Sequence, residues 1–556
     1  TKGERMTERE FNLTREPWIL ALNQDGQMES VSLLDLFKRA HQLRALAGEM
    51  VTQNVAMMRL LIAILYAVFG REDLEGNEGV PQTDRDARAR WQALWERGSF
   101  PAEQIEEYLN HFEDRFFLFD PQRPFFQVVV PPETTIETKD KQGNTIFLPA
   151  YDYTKKLSYF IGDLSEGENK PRWFVYRTNR SDVSYPEAAR WLVHLNSFDV
   201  APVGAPKGGY FQPKAYGLPW PNTLGLVWAE GDTLFETLML NLVLAPVGQD
   251  LWADFSPSWE EDSFMPDDLK QIEKPFPQDP CALFSFLYRR MQLMRDDEKR
   301  ITGIIMWGGH KLDGTKGNPL LETMTVWKKD KGIHKPKSHN PERQMWRDLS
   351  AILPASPDDT VPGIVSWLSQ LKREKQLRLP LLRLAIAGVV LGKSNALVDN
   401  SFSDSLRFNL ALLQDAEQGH AARANREIAL ADKMVTAVAN FARGLVQAAG
   451  GSGDQTIREA AVSARTQAYF RLDSPFRSWL GSLEEDTDLD EACRTWRQTE
   501  VRLLLDLAEG MVQQAGTKAL VGRSVKLRPQ DAKETILASP KLFAALSGRL
   551  HKLAQE

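Results

Sequence analysis

The feature that most limits what this chain can fold into is a change of composition near residue 404. From Asp404 onward alanine, leucine, arginine and glutamate dominate, and apolar residues recur every three or four positions, as on a helix with one buried stripe. Four or five long helices are predicted, over roughly 404–417, 420–449, 455–481, 488–514 and 530–553. Val435, Val438, Ala442 and Leu445, and later Leu503, Leu507 and Met511, keep the heptad-like spacing that an antiparallel bundle needs. Gly450-Gly-Ser-Gly-Asp454 interrupts the pattern, with glycine ending one helix and Asp454 placed to cap the next. Upstream, short extended runs mix with helical ones. The expected class is therefore α+β: a flexible leader at 1–10, with Met6 a candidate native start, a mixed α/β domain at 11–400, and a C-terminal antiparallel four-helix bundle at 401–556.

Hydrophobic residues make up 42% of the 556 positions and aromatics 10%, enough for large cores and too many for a disordered chain. The longest apolar run, Val55 to Phe69, is interrupted by Arg59 and reads as a buried helix shorter than a membrane span. No secretory signal opens the chain. Cys281 and Cys493 are the only cysteines, which excludes a zinc site built on paired thiolates, makes a disulfide framework implausible and suggests the reducing cytoplasm. A formal charge of −7, from 68 basic and 75 acidic side chains, is not that of a free-standing nucleic-acid binder, so any such role must rest on local patches.

Within residues 11–400 the elements follow from spacing. Two apolar runs around Asp25-Gly26 predict a hairpin. Ser32 caps a helix from Leu33, and a second helix runs from Asn54 to Gly70. Residues 128–170 are extended and polar, a helix opens at Ser184 and Pro186, and another follows Gly231-Asp232. Asp254 to Pro280 has the composition of a surface excursion. Leu283 to Arg295 is predicted helical, and Thr302 to Trp307 a strand.

Four polar segments carry the chemistry. Trp173 to Asp182 joins Tyr176, Arg177, Asn179 and Arg180, suited to phosphates and stacking or simply to solvent. Pro202 to Gln212 contains Gly208 and Gly209 beside Lys207, so backbone can approach a groove or phosphate closely; the spacing is not that of a P-loop. Residues 327–337 hold Lys328, Lys329, Lys331, His334, Lys335 and Lys337 against one acid, Asp330, and form either a solvated loop or a phosphate-contacting one. Leu382 to Leu391 alternates as a strand, breaks at Gly392, Lys393, Ser394 and Asn395, and resumes at Ala396 to Val398. This is a hairpin whose tip either merely connects strands or does more.

The order of several blocks resembles the CasA family, the large subunit of Cascade, the type I-E CRISPR surveillance complex. They are Phe11-Asn-Leu through Glu-Pro-Trp-Ile19, Val31-Ser-Leu-Leu-Asp-Leu-Phe37, Thr52-Gln-Asn-Val-Ala56, Ile105-Glu-Glu-Tyr-Leu109, Arg115-Phe-Phe-Leu-Phe119, Pro124-Phe-Phe-Gln127 and Trp346-Arg-Asp-Leu349. The resemblance implies a non-catalytic recognition subunit that reads a short motif flanking the target in double-stranded DNA. It implies a mobile loop at the position of Tyr176 to Arg180 and minor-groove contact from Gly208-Gly209 and Ser394-Asn395-Ala396, the latter as a duplex-opening wedge. A motif-contacting lysine would lie near Lys328 or Lys329. Implied partners are the other Cascade subunits, the CRISPR RNA, target DNA and a helicase-nuclease, in antiviral defence. Some family members carry a zinc-binding element, which two isolated cysteines do not reproduce.

No HExxH, GxSxG or Walker sequence appears, and the eight histidines are scattered, so no enzymatic activity, cofactor or metal is expected. The competing readings are an interaction scaffold without DNA contact and a cytosolic hydrolase whose site is assembled from scattered residues.

Overall fold

The computed structural model describes residues 8–140, 142–152, 155–156, 182–200, 211, 217–261, 273–313, 317–353, 360–392, 398–413, 419–525 and 534–556. The chain divides into two compact units. One comprises Thr1–Pro341, Val361–Leu377 and Leu384–Asp404; the other comprises Glu342–Thr360, Arg378–Arg383 and Ser405–Glu556.

The first unit is built around a helix at Val51–Phe69, where every side chain except Val51 and Asn54 is buried. It is long and apolar enough to cross a membrane by length and composition, with 89% of its most apolar window buried within the fold. It thus starts earlier than the expected Asn54 and is longer than the expected run. Arg59, which made it look interrupted, is 2% exposed and forks onto the fully buried Glu322 at 2.8 and 2.9 Å. The indole of Trp220 donates to the same carboxylate at 3.1 Å. Bidentate pairing of this kind makes a buried charge tolerable, whereas losing one partner costs several kcal/mol.

Around this helix the local signals mostly hold. Ile19–Asn23 lies between the antiparallel strands Met28–Val31 and Leu43–Leu46, and Gly26 takes the left-handed conformation its turn needs (φ 77°). Ser32 accepts from the Asp35 amide to cap Leu33–Arg39, Ser184 caps Tyr185–Phe198, and Thr233 with Glu236 forms a capping box on Leu234–Asn241.

Two expectations fail. Only Pro280–Phe284 is helical in the segment expected to be so to Arg295. Arg289–Arg295 is a strand, all seven residues buried, paired antiparallel with Ile301–Gly308, so non-local pairing overrides local propensity. The described ends of the excursion expected from Asp254 to Pro280 anchor inward, with 262–272 outside the described residues: Phe255, Trp259 and Phe276 are buried, and Glu260 accepts from Arg71 at 2.9 Å and Tyr108 at 2.7 Å.

The second unit contains helices His420–Ala449, Asp454–Gly481, Leu489–Val521 and Ser539–Leu553, the first packing on the other three. Gly450 ends the first at φ 104°, a left-handed cap. Asp454 is the first residue of its helix and does not cap it; Gly453 holds that position. Val435, Val438, Ala442 and Leu445 are buried, whereas Leu503 and Met511 are half-buried and Val501, Leu504, Leu507 and Ala508 make the inner face. Trp346 inserts beside Phe476, rings 4.3 Å apart, and donates to Asp473 at 2.9 Å. Of the helix expected at 404–417, residues 404–408 are strand and Leu410–Leu413 a short 3-10 turn, and 414–417 lie outside the described residues. Val398–Phe408 is a strand whose side chains alternate, Ser403, Ser405 and Arg407 outward and Leu406 and Phe408 inward.

Candidate nucleic-acid interface

Two strand platforms in the first unit root all four segments singled out by the sequence. Strand Ile301–Gly308 carries the flanks of the first: Lys155 and Lys156 pair with Ile304 and Gly303, and Val183 pairs with Ile301, its amide donating at 3.1 Å. Tyr176, Arg177, Asn179 and Arg180, between these anchors, lie outside the described residues.

The ends of the glycine segment meet at one side chain. Arg289, opening the strand paired with Ile301–Gly308, is 2% exposed and bonds the Asp199 carboxylate at 2.6 Å. The same guanidinium donates to the carbonyls of Val200 at 3.3 Å and Gly217 at 2.8 Å. Lys207, Gly208 and Gly209 fall between those carbonyls and outside the described residues. Phe211, two positions beyond Gly209, is fully buried edge-on to Trp307 at 5.0 Å. A single arginine thus fixes both feet of the glycine segment, and no local signal around residue 289 could have revealed it.

The other platform is strand Leu226–Glu230. In its sheet it neighbours Leu382–Leu391, which in turn neighbours Val398–Phe408. Apart from the half-buried Arg383, the first arm of this long hairpin is buried through Gly388, and it is half-buried from Val389 to Gly392, so it leaves the core toward its tip. A Cβ on Gly388 would stand 2.7 Å from the Phe402 ring across the pair, which is why glycine sits there. Lys393, Ser394, Asn395 and Ala396 lie outside the described residues.

The same strand roots the basic tract. The Val227 amide donates to the Met324 carbonyl and the Val326 amide to the Gly225 carbonyl, both at 3.1 Å. A Cβ on Gly225 would collide with the Lys337 carbonyl. From this base, with Val326 and Trp327 buried, a hairpin projects. Trp327–Asp330 pairs antiparallel with Ile333–Pro336, matching Trp327 to Pro336, Lys328 to Lys335, Lys329 to His334 and Asp330 to Ile333. Lys331 (φ 50°) and Gly332 (φ 83°) form its two-residue turn, the positive-φ pair of a type I′ connection. The tract is therefore a built element rather than an irregular loop.

Strand alternation gives this hairpin two faces. Lys329 and His334 share one with Trp327, whose ring meets His334 edge-on at 6.3 Å. Lys328, Asp330, Ile333 and Lys335 share the other, where Asp330 bonds Lys335 at 2.7 Å. That hydrogen bond, together with the charges of Lys335 and Lys328, holds the Asp330 carboxyl below the usual carboxylate range. Lys328, Lys329 and Lys331 are exposed, and no carboxylate lies within ion-pair distance of them among the described residues. Lys328 directly opposite Lys335 is a like-charge pair that weakens a sheet unless an anion lies between or above it. The arrangement can cradle phosphates, whereas it offers no nucleophile–base pair. Among the described residues no three His, Cys, Asp or Glu side chains are grouped to hold a metal. His194 is a core group: burial pushes it down to about 3, and its Nε2 lies 3.0 Å from the Thr52 hydroxyl.

The model of the family described as CRISPR-associated protein Cse1 matches residues 12–507. The CRISPR-associated protein CasA/Cse1 of Thermus thermophilus is 30% identical over 356 residues, covering 62% of this chain and 60% of that protein. The chain thus aligns with about three-fifths of that relative's length. Among solved structures, Thermobifida fusca Cse1 superposes with a TM-score of 0.77 at 26% identity, covering 98% of both chains. A chain of a CRISPR RNA-guided surveillance complex has the same fold, with a TM-score of 0.65 at 18% identity, covering 98% of this chain and all of that one.

Proposed function

This chain belongs to the CRISPR-associated Cse1 family, and we propose that it is the non-catalytic large subunit of a type I-E RNA-guided surveillance complex, Cascade. In this reading base pairing with the CRISPR RNA reads the long target, and the protein reads only a short flanking motif in duplex DNA and helps to open it. It works beside the other Cascade subunits and recruits the helicase-nuclease in antiviral defence. Gly208-Gly209 and Ser394-Asn395-Ala396 meet the minor groove, where few base pairs are distinguishable, so several motifs are accepted. The tip at Lys393 to Ala396 acts as a wedge, at a cost of a few kcal/mol per unstacked step. Tyr176, Arg177, Asn179, Arg180 and Lys207 contribute loop contacts, and Lys328, Lys329 and Lys331 hold phosphates.

The observation that carries the reading is the exposed lysine hairpin rooted on the strand that also neighbours the long hairpin. Its test is target-duplex binding by the assembled complex across a salt series. Each phosphate contact contributes about 0.9 to the slope of log affinity against log salt, so replacing Lys328, Lys329 and Lys331 together by alanine lowers that slope by about 2.7 if all three touch phosphate. Asn395→Ala and Gly209→Asp weaken duplex binding with assembly intact, and a pre-opened duplex rescues the first more than the second. An unchanged salt slope with no DNA crosslinks on residues 174–214, 328–337 or 393–396 would leave the scaffold reading standing instead.

A further inference from the structure

We propose that Asp330 is an internal counter-ion that restrains the basic hairpin, suppressing sequence-independent DNA binding so that the flanking motif decides affinity. The inference rests on the reading that this hairpin holds phosphates. It adds a residue whose role is to weaken that contact.

Asp330 is the sole acid between Trp327 and Lys337, and it stands where a two-residue turn brings it diagonally against Lys335. Both side chains are about half exposed, at 49% and 47%. Beyond easing the Lys328–Lys335 repulsion, an exposed pair of this kind contributes little to folding. Its electrostatic effect is larger. Lys335 faces Lys328 directly across the strands, and one carboxylate on that face offsets the charge two ammonium groups would otherwise present together. Phosphate must compete with Asp330 for Lys335, whereas Lys329 and Lys331 have no such competitor among the described residues. The hairpin therefore has an unrestrained side at Lys329 and Lys331 and a restrained side at Lys328 and Lys335. Non-specific binding is almost wholly electrostatic, so the restraint falls hardest on duplexes lacking the motif.

The test compares wild type, Asp330→Asn and Lys329→Ala/Lys331→Ala in the assembled complex, by anisotropy with a motif-bearing duplex and with one lacking the motif. Asp330→Asn is expected to tighten the motif-less duplex up to about fivefold, to steepen its salt slope by about 0.9, and to lower the ratio of specific to non-specific affinity. Because of that slope, its advantage shrinks about 3.5-fold between 50 and 200 mM salt. The double lysine variant weakens both duplexes. If that variant binds like wild type, the hairpin does not hold phosphate and the underlying reading fails. If it weakens binding while Asp330→Asn changes neither slope nor ratio, the counter-ion proposal alone fails. Unchanged circular dichroism and melting of Asp330→Asn confirm that the comparison is electrostatic.

Discussion

Replacing Glu500 by glutamine should remove a pH dependence that one carboxyl imposes on the helical unit. Glu500 lies on helix Leu489–Val521 with no exposure, and neither carboxyl oxygen has a hydrogen-bond partner among the described residues. Burial, and then repulsion from Glu427, push its carboxyl up to about 8. Arg497 acts in the opposite direction but is committed to Glu427 through bonds of 2.8 and 2.7 Å. In the unfolded chain the group titrates near its ordinary 4.5. The raised folded value means that, between those limits, the unfolded state has lost the proton that the folded state keeps. Stability is therefore fully present below about 4.5 and falls by about 1.4 kcal/mol per pH unit, levelling off above about 8. The loss reaches about 3 kcal/mol at pH 7 and about 5 kcal/mol at the upper end. Glutamine has the same shape and no proton to lose, so the advantage of Glu500→Gln should be near zero at pH 4.5 and grow at that rate. Urea unfolding of the full chain at pH 5, 6, 7 and 8, read by hydrogen exchange of peptides from Leu489–Val521, measures the difference, in which other titrating groups cancel. A gap between variant and wild type that is the same at every pH would refute the coupling.

Two further outcomes follow from backbone and burial. Lys331→Asn should stabilise the basic hairpin by about 1 kcal/mol, because asparagine tolerates the left-handed turn that lysine occupies at φ 50°, while lowering the DNA salt slope by about 0.9; local hydrogen exchange and anisotropy read the two effects separately. Arg289→Met should cost about 3 to 5 kcal/mol by removing one partner of a buried ion pair with Asp199 and raise exchange in peptides ending at Val200 and starting at Gly217.

Local rules made much of the fold legible, and non-local ones explain the rest. Caps at Ser32 and Ser184, the Asp25-Gly26 turn and the break after Ala449 depend on residues close in sequence, and each is where spacing placed it. Arg289–Arg295 was misread because a helical pattern and a fully buried strand look alike over seven residues; its partner strand decided the outcome. The expected helix start at Asp404 failed for a related reason, since the residues through Phe408 belong to a strand that completes a hairpin. Lysine density marked the basic tract, but its two faces depend on register, which follows from the Lys331-Gly332 turn. Arg289 was invisible because its partners, Asp199, Val200 and Gly217, come from elsewhere in the chain.

The net charge of −7 and a DNA-contacting role are compatible once charge is placed on the structure. The hairpin from Trp327 to Lys337 carries five lysines and one aspartate, a local charge of +4, so the remainder of the chain carries −11. At physiological salt charges are screened beyond about 8 Å. On the proposed function, acidic groups elsewhere therefore scarcely weaken phosphates seated on the hairpin, while they repel duplex that approaches other surfaces. On that reading, an acidic chain with a basic hairpin restricts which encounters are productive, a selectivity that uniform positive charge would forfeit. The Asp330 pair acts in the same direction at shorter range. If the hairpin holds phosphates as proposed, the acid that argued against a nucleic-acid binder at the level of composition helps a short motif to decide affinity.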